Sequence, residues 1–174
     1  MIVQIGPGLE IDPGKAAKNG VLKSYLEAVE AIEKQCFSDP WTLPMIEESM
    51  GTGLDVYLLL VEDGETAAGS LTADAVISPV SGYCVFRVIA GEGELFRIAV
   101  TPGCRGLGYG KKLMDGMVDY SRKNGVSAIT LEVRESNLAA RNLYKSYDFK
   151  EESIRKNYYR SPVEDAVIMW KYEI

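Results

Sequence analysis

Apolar side chains change their spacing several times along this chain, and each change marks a predicted element. Leu22, Tyr25, Leu26, Val29, Ile32 and Glu33 recur at three- and four-residue intervals, with Lys23, Glu27, Glu30 and Lys34 on the opposite side. That spacing predicts an amphipathic helix from Val21 to about Cys36-Phe37. Ser38-Asp39-Pro40-Trp41-Thr42 reads as a turn, because the residue before a proline avoids helical angles. A short helix follows from Leu43 to Met50, with Thr42 as N-cap and Pro44 in the first turn. Strand-like runs then alternate with turn residues: Asp55 to Glu62, the hairpin signal Asp63-Gly64, Ala67 to Ile77, a turn at Ser78 to Gly82, Tyr83 to Ile89, a turn at Gly91-Glu92-Gly93, and Glu94 to Val100. Hairpin after hairpin predicts an antiparallel meander.

Beyond Gly108 the helical period returns. Leu113, Met114, Met117, Val118 and Ser121 share one face, and Lys123-Asn124-Gly125 supplies a basic last turn and a terminating glycine. Ala128 to Val133 is a strand, Ser136 or Asn137 caps a helix from Leu138 to Tyr147, and Phe149 to Ile154 and Ala166 to Tyr172 are closing strands. Met1 to Asn19 is read as irregular, with Met1 to Ile5 a candidate edge strand. Helices, a meander, then strand–helix–strand–helix–strand–strand predicts one α+β or mixed α/β domain over residues 1–174, the first twenty forming an extension.

Composition narrows the chemistry. With 19 basic and 25 acidic side chains the formal charge is −6. That argues against nucleic-acid binding and weakly favours a cationic partner. Histidine is absent, which removes Ser-His-Asp hydrolysis and histidine-ligated metal; no metal is expected. Cys36, Cys84 and Cys104 form no CxxC pair and suit a reducing compartment. The longest apolar run, Val56 to Val61, is too short to span a bilayer, and the amino terminus lacks a signal-peptide pattern. A cytoplasmic protein without a membrane partner is the expectation.

The strand ending at Val100 feeds Arg105-Gly106-Leu107-Gly108-Tyr109-Gly110-Lys111 at a helix start. Backbone N–H groups there point outward and suit a phosphate. Arg105-x-x-Gly108-x-Gly110 is similar to the acetyl-CoA signature of the GNAT-type N-acetyltransferase superfamily. Leu131-Glu132-Val133-Arg134-x-Ser136-Asn137-x-x-Ala140-x-x-Leu143-Tyr144 resembles its next two motifs. Within the superfamily the chain resembles the RimI group, alanine N-acetyltransferases of a small-subunit ribosomal protein. That likeness spans roughly Val21 to Ile174, through Cys36-Phe37-x-x-Pro40-Trp41-Thr42, Gly82-Tyr83-x-x-Phe86-Arg87-Val88, Arg155-x-Asn157-Tyr158-Tyr159 and Glu164-Asp165-Ala166-x-Ile168-Met169. The chain departs from the pattern at Asp148-Phe149, where Gly-Phe is usual, in extra residues near Glu65 to Ser81, and in its first twenty residues.

The resemblance implies the GNAT acyl-CoA N-acyltransferase fold, a mixed, mostly antiparallel sheet splayed at the acetyl-CoA site. It implies that Gly106, Leu107, Gly108, Tyr109, Gly110 and Lys111 face the pyrophosphate, with Arg105 adding charge. Ile98, Ala99 and Val100 would run beside the pantetheine arm, and Asn137 would contact acetyl-CoA or serve only as a helix cap. Strand alternation sets Glu132 on the face opposite Leu131 and Val133. By resemblance Glu132 is the general base and Tyr144 the general acid, while Phe37, Trp41, Tyr158 and Tyr159 wall a peptide slot. Among acceptors an α-amine is favoured, because its pKa of about 7.7–8.0 leaves roughly a tenth neutral at pH 7. The expected acceptor is a protein N-terminus, such as the alanine of a ribosomal protein, and the enzyme a monomer or homodimer. A small-amine acceptor, or a non-catalytic acetyl-CoA-binding module, remains an alternative.

Overall fold

The computed structural model describes residues 1–6, 16–62 and 79–174, with residues 16–19 as backbone only. In chain order the strands are β1 (Ile2–Ile5), β2 (Asp55–Val61), β3 (Val80–Ile89), β4 (Glu92–Val100), β5 (Ala128–Arg134), β6 (Lys150–Arg160) and β7 (Val163–Tyr172). The helices are α1 (Ala16–Cys36), α2 (Leu43–Gly51), α3 (Tyr109–Lys123) and α4 (Leu138–Lys145). The described strands form one seven-stranded sheet of order β1-β2-β3-β4-β5-β7-β6. Only β4 and β5 run parallel; every other neighbouring pair is antiparallel.

Helices cover both faces, and β2 shows why its seven residues are all buried. Val56, Leu58 and Leu60 pack with Leu113, Met114 and Met117 of α3, while Tyr57, Leu59 and Val61 pack with Leu26, Val29, Ile32 and Ile46 of α1 and α2. A central strand covered twice reads as a continuous apolar run rather than an alternating one. The apolar stripe of α3 is the one its spacing predicts: Leu113, Met114, Met117, Val118 and Ser121 are its buried residues.

Several boundaries differ from the sequence reading, each for a local reason. The helix expected from Val21 begins at Ala16, and the candidate edge strand is present as β1, so the first twenty residues are not irregular throughout. The hairpin signal at Asp63-Gly64 and the strand expected over Ala67 to Ile77 lie outside the described residues. Strand β3 starts at Val80 instead of Tyr83, with Gly82 inside it opposite Val100. A Cβ on Gly82 would lie 2.7 Å from the Ala99 carbonyl oxygen, so glycine here permits close strand approach. The β3–β4 turn is Ala90-Gly91, both at positive φ (51° and 83°), the pairing a tight hairpin with matching twist requires. Glu92 and Gly93 therefore belong to β4. Helix α4 ends at Lys145, two residues early, and β6 and β7 outrun their predicted spans because they pair with each other along most of their length.

The irregularity that bears on the site sits in β4. Val85 opposes Arg97 while Phe86 opposes Leu95, leaving Phe96 as an extra residue in a β-bulge. The bulge resets which face each side chain takes. Leu95, Ile98 and Val100 join the α3-side core, and Phe96 and Ala99 join the α1-side core. Beyond the bulge β4 also leaves β5, since the two strands pair only from Glu92↔Ala128 to Leu95↔Leu131.

The Gly82→Ala variant tests the close approach of β3 and β4. Overpacking there is expected to cost about 1–3 kcal/mol of unfolding free energy in urea titration, and an unchanged midpoint would show that the strands can give way.

Candidate active site

Where β4 leaves β5, one strand edge is left open. Thr101 N–H donates to the Ser81 carbonyl at 2.9 Å, which fixes the alternation of the antiparallel β3–β4 ladder. Ala99 then turns its backbone to β3, while Ile98 and Val100 turn theirs towards the gap. Of the three residues expected along a pantetheine arm, two therefore present edge groups and the third does not. The Val100 carbonyl already accepts from Arg105 Nε at 3.2 Å. Cys36 Sγ lies 3.6 Å from that carbonyl and 3.5 Å from Arg105 Nη2. The Arg105 guanidinium thus turns back to the end of β4 and ties it to α1.

Directly after β4 comes a single turn of 3-10 helix, Pro102–Cys104, and then the glycine-rich turn. From Gly106 to Lys111 no backbone N–H finds an acceptor among the described residues. Gly106 and Gly108 both have φ of 78°, and a Cβ on either would meet nothing within 4 Å, so they are required for backbone conformation and the space beside them is open. Gly110 has another reason: its Cβ would stand 3.2 Å from Leu143 Cδ2, so it lets α3 approach α4. The first turn of α3 carries Lys111 and Lys112 and no acid. Cations at a helix N-terminus oppose its dipole, which an anion seated there would reverse. Six unpaired donors, flanking cations and open space fit a diphosphate.

A Schellman motif positions the element beside this turn. At the end of α4 Phe149 N–H donates to Tyr144 O and Asp148 N–H to Lys145 O. Asp148 takes φ of 65°, the left-handed conformation expected where the related sequences have glycine. The Phe149 and Tyr144 rings meet at 5.9 Å, locking Tyr144 against the sheet. Burial pushes the Tyr144 phenol well above its usual range, with smaller contributions from Tyr159 and Cys84. It stays protonated at any physiological pH. Asn137 caps α4, its Oδ1 accepting from Ala140 N–H at 3.1 Å, so the helix-cap role is present.

On β5 Glu132 lies between the buried Leu131 and Val133 and faces the opposite side, as alternation requires. Its Oε1 is 2.7 Å from Arg155 Nη1 of β6. The Tyr158 hydroxyl lies near Glu132, whose carboxylate raises its pKa, with burial adding to the shift. Arg155 stacks over the Tyr158 ring at 5.0 Å. Tyr159 meets Tyr158 edge-on at 5.2 Å, and burial followed by the Glu132 charge pushes its phenol up to about 12. The carboxylate and the two tyrosines expected from sequence are thus brought together. A second acid, Glu94 of β4, is near enough that Glu132 adds to the upward shift burial causes in it.

Phe37 and Trp41 occupy the loop between α1 and α2, on the other side. Arg97 stacks on both, 4.4 Å from the Phe37 ring centroid and 5.2 Å from that of Trp41, and its Nη2 donates to Asp39 O at 3.1 Å. Arg97 Nη1 lies 3.6 Å from Glu33 Oε2. Fully buried Glu33 also accepts from Trp41 N–H at 2.9 Å and from the Tyr83 hydroxyl. Thr42 makes no side-chain cap; the Leu43 N–H donates instead to Glu30 Oε1 at 3.0 Å. Sequence reasoning assigned no role to Glu33, Arg97 or Arg134. Glu33 carried a signal, being the one acid on the apolar face of α1; the arginines carried none, because their partners lie far away in the chain.

The sheet parts beside a donor-rich turn, and a carboxylate and a buried phenol lie near the gap. A model of the GNAT acetyltransferase family matches residues 26–149. This chain belongs to that family and is an N-acetyltransferase. It is 35% identical over 148 residues to the ribosomal protein bS18-alanine N-acetyltransferase of Escherichia coli K12, covering 83% of this chain and 88% of that one. The enzyme of that name from Haemophilus influenzae is 33% identical over 149 residues, 84% of this chain and 91% of its own. The crystal structure of the E. coli ribosomal-protein-S18-alanine N-acetyltransferase superposes with a TM-score of 0.71 at 30% identity, covering 99% and 94% of the two chains. Arabidopsis thaliana NAA60, solved with acetyl-CoA, shares the fold at a TM-score of 0.72 and 17% identity.

Glu33 supports the Phe37–Trp41 loop from beneath. Glu33→Ala would leave Arg97 partly uncompensated and the Trp41 N–H without its acceptor, and should cost about 3–5 kcal/mol in denaturant unfolding. A loss under about 1 kcal/mol would mean the loop holds itself.

Proposed function

We propose that this enzyme transfers the acetyl group of acetyl-CoA to the α-amine of a protein N-terminus, and that the acceptor is the N-terminal alanine of ribosomal protein bS18. The observation that carries this reading is the meeting of Glu132, Tyr158 and Tyr159 on one side of the gap with Phe37 and Trp41 on the other. A slot with two aromatic walls suits an extended peptide more than a compact amine. The acceptor itself is carried over from the bS18-alanine N-acetyltransferases named above.

Acetyl-CoA, when bound, supplies an activated thioester. The N–H groups from Gly106 to Lys111 would hold its diphosphate, with Lys111 and Lys112 adding charge and Arg105 keeping the turn attached to Val100. The N–H groups of Ile98 and Val100 would align the arm that leads into the gap. Glu132 accepts the proton of the incoming ammonium, directly or through water, and the Tyr158 hydroxyl orients it. Tyr144 supplies a proton to the departing thiolate; burial keeps the phenol neutral and so able to donate.

The test is acetylation of a peptide beginning with alanine, compared with a lysine side chain and a polyamine, read by mass spectrometry. Preference for the α-amine is expected, and Glu132→Gln and Tyr144→Phe should each lower kcat by about 10²-fold or more while leaving CoA affinity unchanged. Preference for the polyamine overturns the reading.

The pH profile follows from the same groups. Activity should climb between about pH 6 and 8 as the acceptor amine, with a pKa near 7.7–8.0, loses its proton. Tyr144 is needed in its neutral form, and its raised pKa moves the loss of that form above the usual tyrosine value of about 10. No falling limb is expected below about pH 10 in kcat/KM profiles; a fall near pH 9 absent from Tyr144→Phe would contradict this.

A further inference from the structure

The two walls of the slot come from segments far apart in sequence, and one side chain ties them together. Arg134, the last residue of β5, donates from Nη2 to Ser38 Oγ at 3.3 Å, in the α1–α2 loop that carries Phe37 and Trp41. The same nitrogen donates to the Ser161 carbonyl at 3.0 Å, and Nη1 to the Pro162 carbonyl at 3.2 Å, both at the β6–β7 hairpin. Nη1 also bonds Glu164 Oε2 at 3.0 Å. Its guanidinium lies over the Tyr159 ring, 4.1 Å from the centroid. Glu164 in turn accepts from Ser136 N–H at 2.6 Å, next to the cap of α4, and those bonds hold its carboxyl below the usual range.

Such convergence on a planar fork is specific. Two carbonyls, a hydroxyl, a carboxylate and an aromatic face are engaged from one side chain, which a lysine ammonium cannot reproduce. Carbonyl acceptors at a hairpin tip have water as an alternative partner, so the hairpin does not need Arg134 merely to satisfy its backbone. What the arginine adds is a fixed distance between Ser38 and Ser161.

Resting on the reading that a peptide N-terminus enters between these walls, we propose that Arg134 is a positioning residue that sets the width of the acceptor slot. Arg97 anchors the Phe37–Trp41 wall to β4, and Arg134 gives that wall a fixed relation to Tyr159. The acceptor's backbone beyond its first residue is held between them, so Arg134 governs how well a peptide binds and not how fast the acetyl group moves.

The experiment compares wild type, Arg134→Lys, Arg134→Gln and Ser38→Ala with a six-residue peptide beginning with alanine, with CoA affinity measured by calorimetry. Both Arg134 variants should raise the peptide KM about tenfold or more, with kcat within threefold and CoA affinity unchanged; lysine should not rescue. Ser38→Ala, which removes only the link to the first wall, should raise KM two- to fivefold and keeps the test available if the Arg134 variants do not fold. A loss carried mainly by kcat, an unchanged KM, or full rescue by lysine overturns the proposal. Wild type that fails to acetylate the peptide while acetylating a polyamine overturns instead the acceptor reading on which it rests.

Discussion

Four residue pairs hold β4 beside β5, and then the strands separate. Parallel neighbours normally satisfy each other's backbone along their whole shared length, so the parting leaves polar groups of Ile98 and Val100 facing a gap. It is maintained from both sides. The bulge at Phe96 turns β4, while β5 stays registered with β7 through Arg134↔Ala166. The groups proposed for the chemistry lie along this seam: the donor-rich turn continues from the free end of β4, Glu132 is the first β5 residue beyond the last shared pair, and α4 returns Tyr144 to the same region.

Charge is used sparingly on the α1 face of the sheet, and nearly every charged group there is spoken for. Asp55, 1% exposed, receives both a 2.6 Å and a 2.9 Å bond from Arg87 and a third from Ser49. Glu33 is surrounded by Arg97, Tyr83 and the Trp41 amide. Buried ions of this kind are tolerated when geometry satisfies their lone pairs, and they set conformation more reliably than they add stability. Glu132 differs from them. Its cationic partner, Arg155, has a side chain 53% exposed, so the attraction is screened by water and can be exchanged for another cation.

Much of this is legible in the sequence, and the limits follow a pattern. The stripe of α3, the outward turn of Glu132 and the left-handed Asp148 depend on neighbours within a few residues, which periodicity and local conformational preference report. The start of β3 was misread because Gly82 looks like a turn residue until Val100 lies opposite it. The need for glycine at position 110 is not legible locally either, because the side chain it makes room for is Leu143 of α4. The roles of Glu33, Arg97 and Arg134 depend on partners up to 96 residues away, and no local pattern encodes such meetings. The family motifs supply what periodicity cannot, by pointing to the family itself, to which a model match over residues 26–149 assigns the chain.

Strand β6 carries one more consequence. It is the outermost strand beyond β7, eleven residues long and almost wholly solvent-facing. Such an edge invites another chain to add itself by backbone pairing. Two register breaks, between Glu151 and Ser153 and between Arg155 and Tyr159, deny an intruder a straight template, and Asn157 at φ of 52° bends the strand where the second occurs. The same kink separates Arg155 from Tyr158 and Tyr159. One deformation thus guards against fibre-like self-association and brings the Tyr158 and Tyr159 rings beside Glu132, so a smoother β6 would bring both poorer solubility and a displaced pair of aromatics.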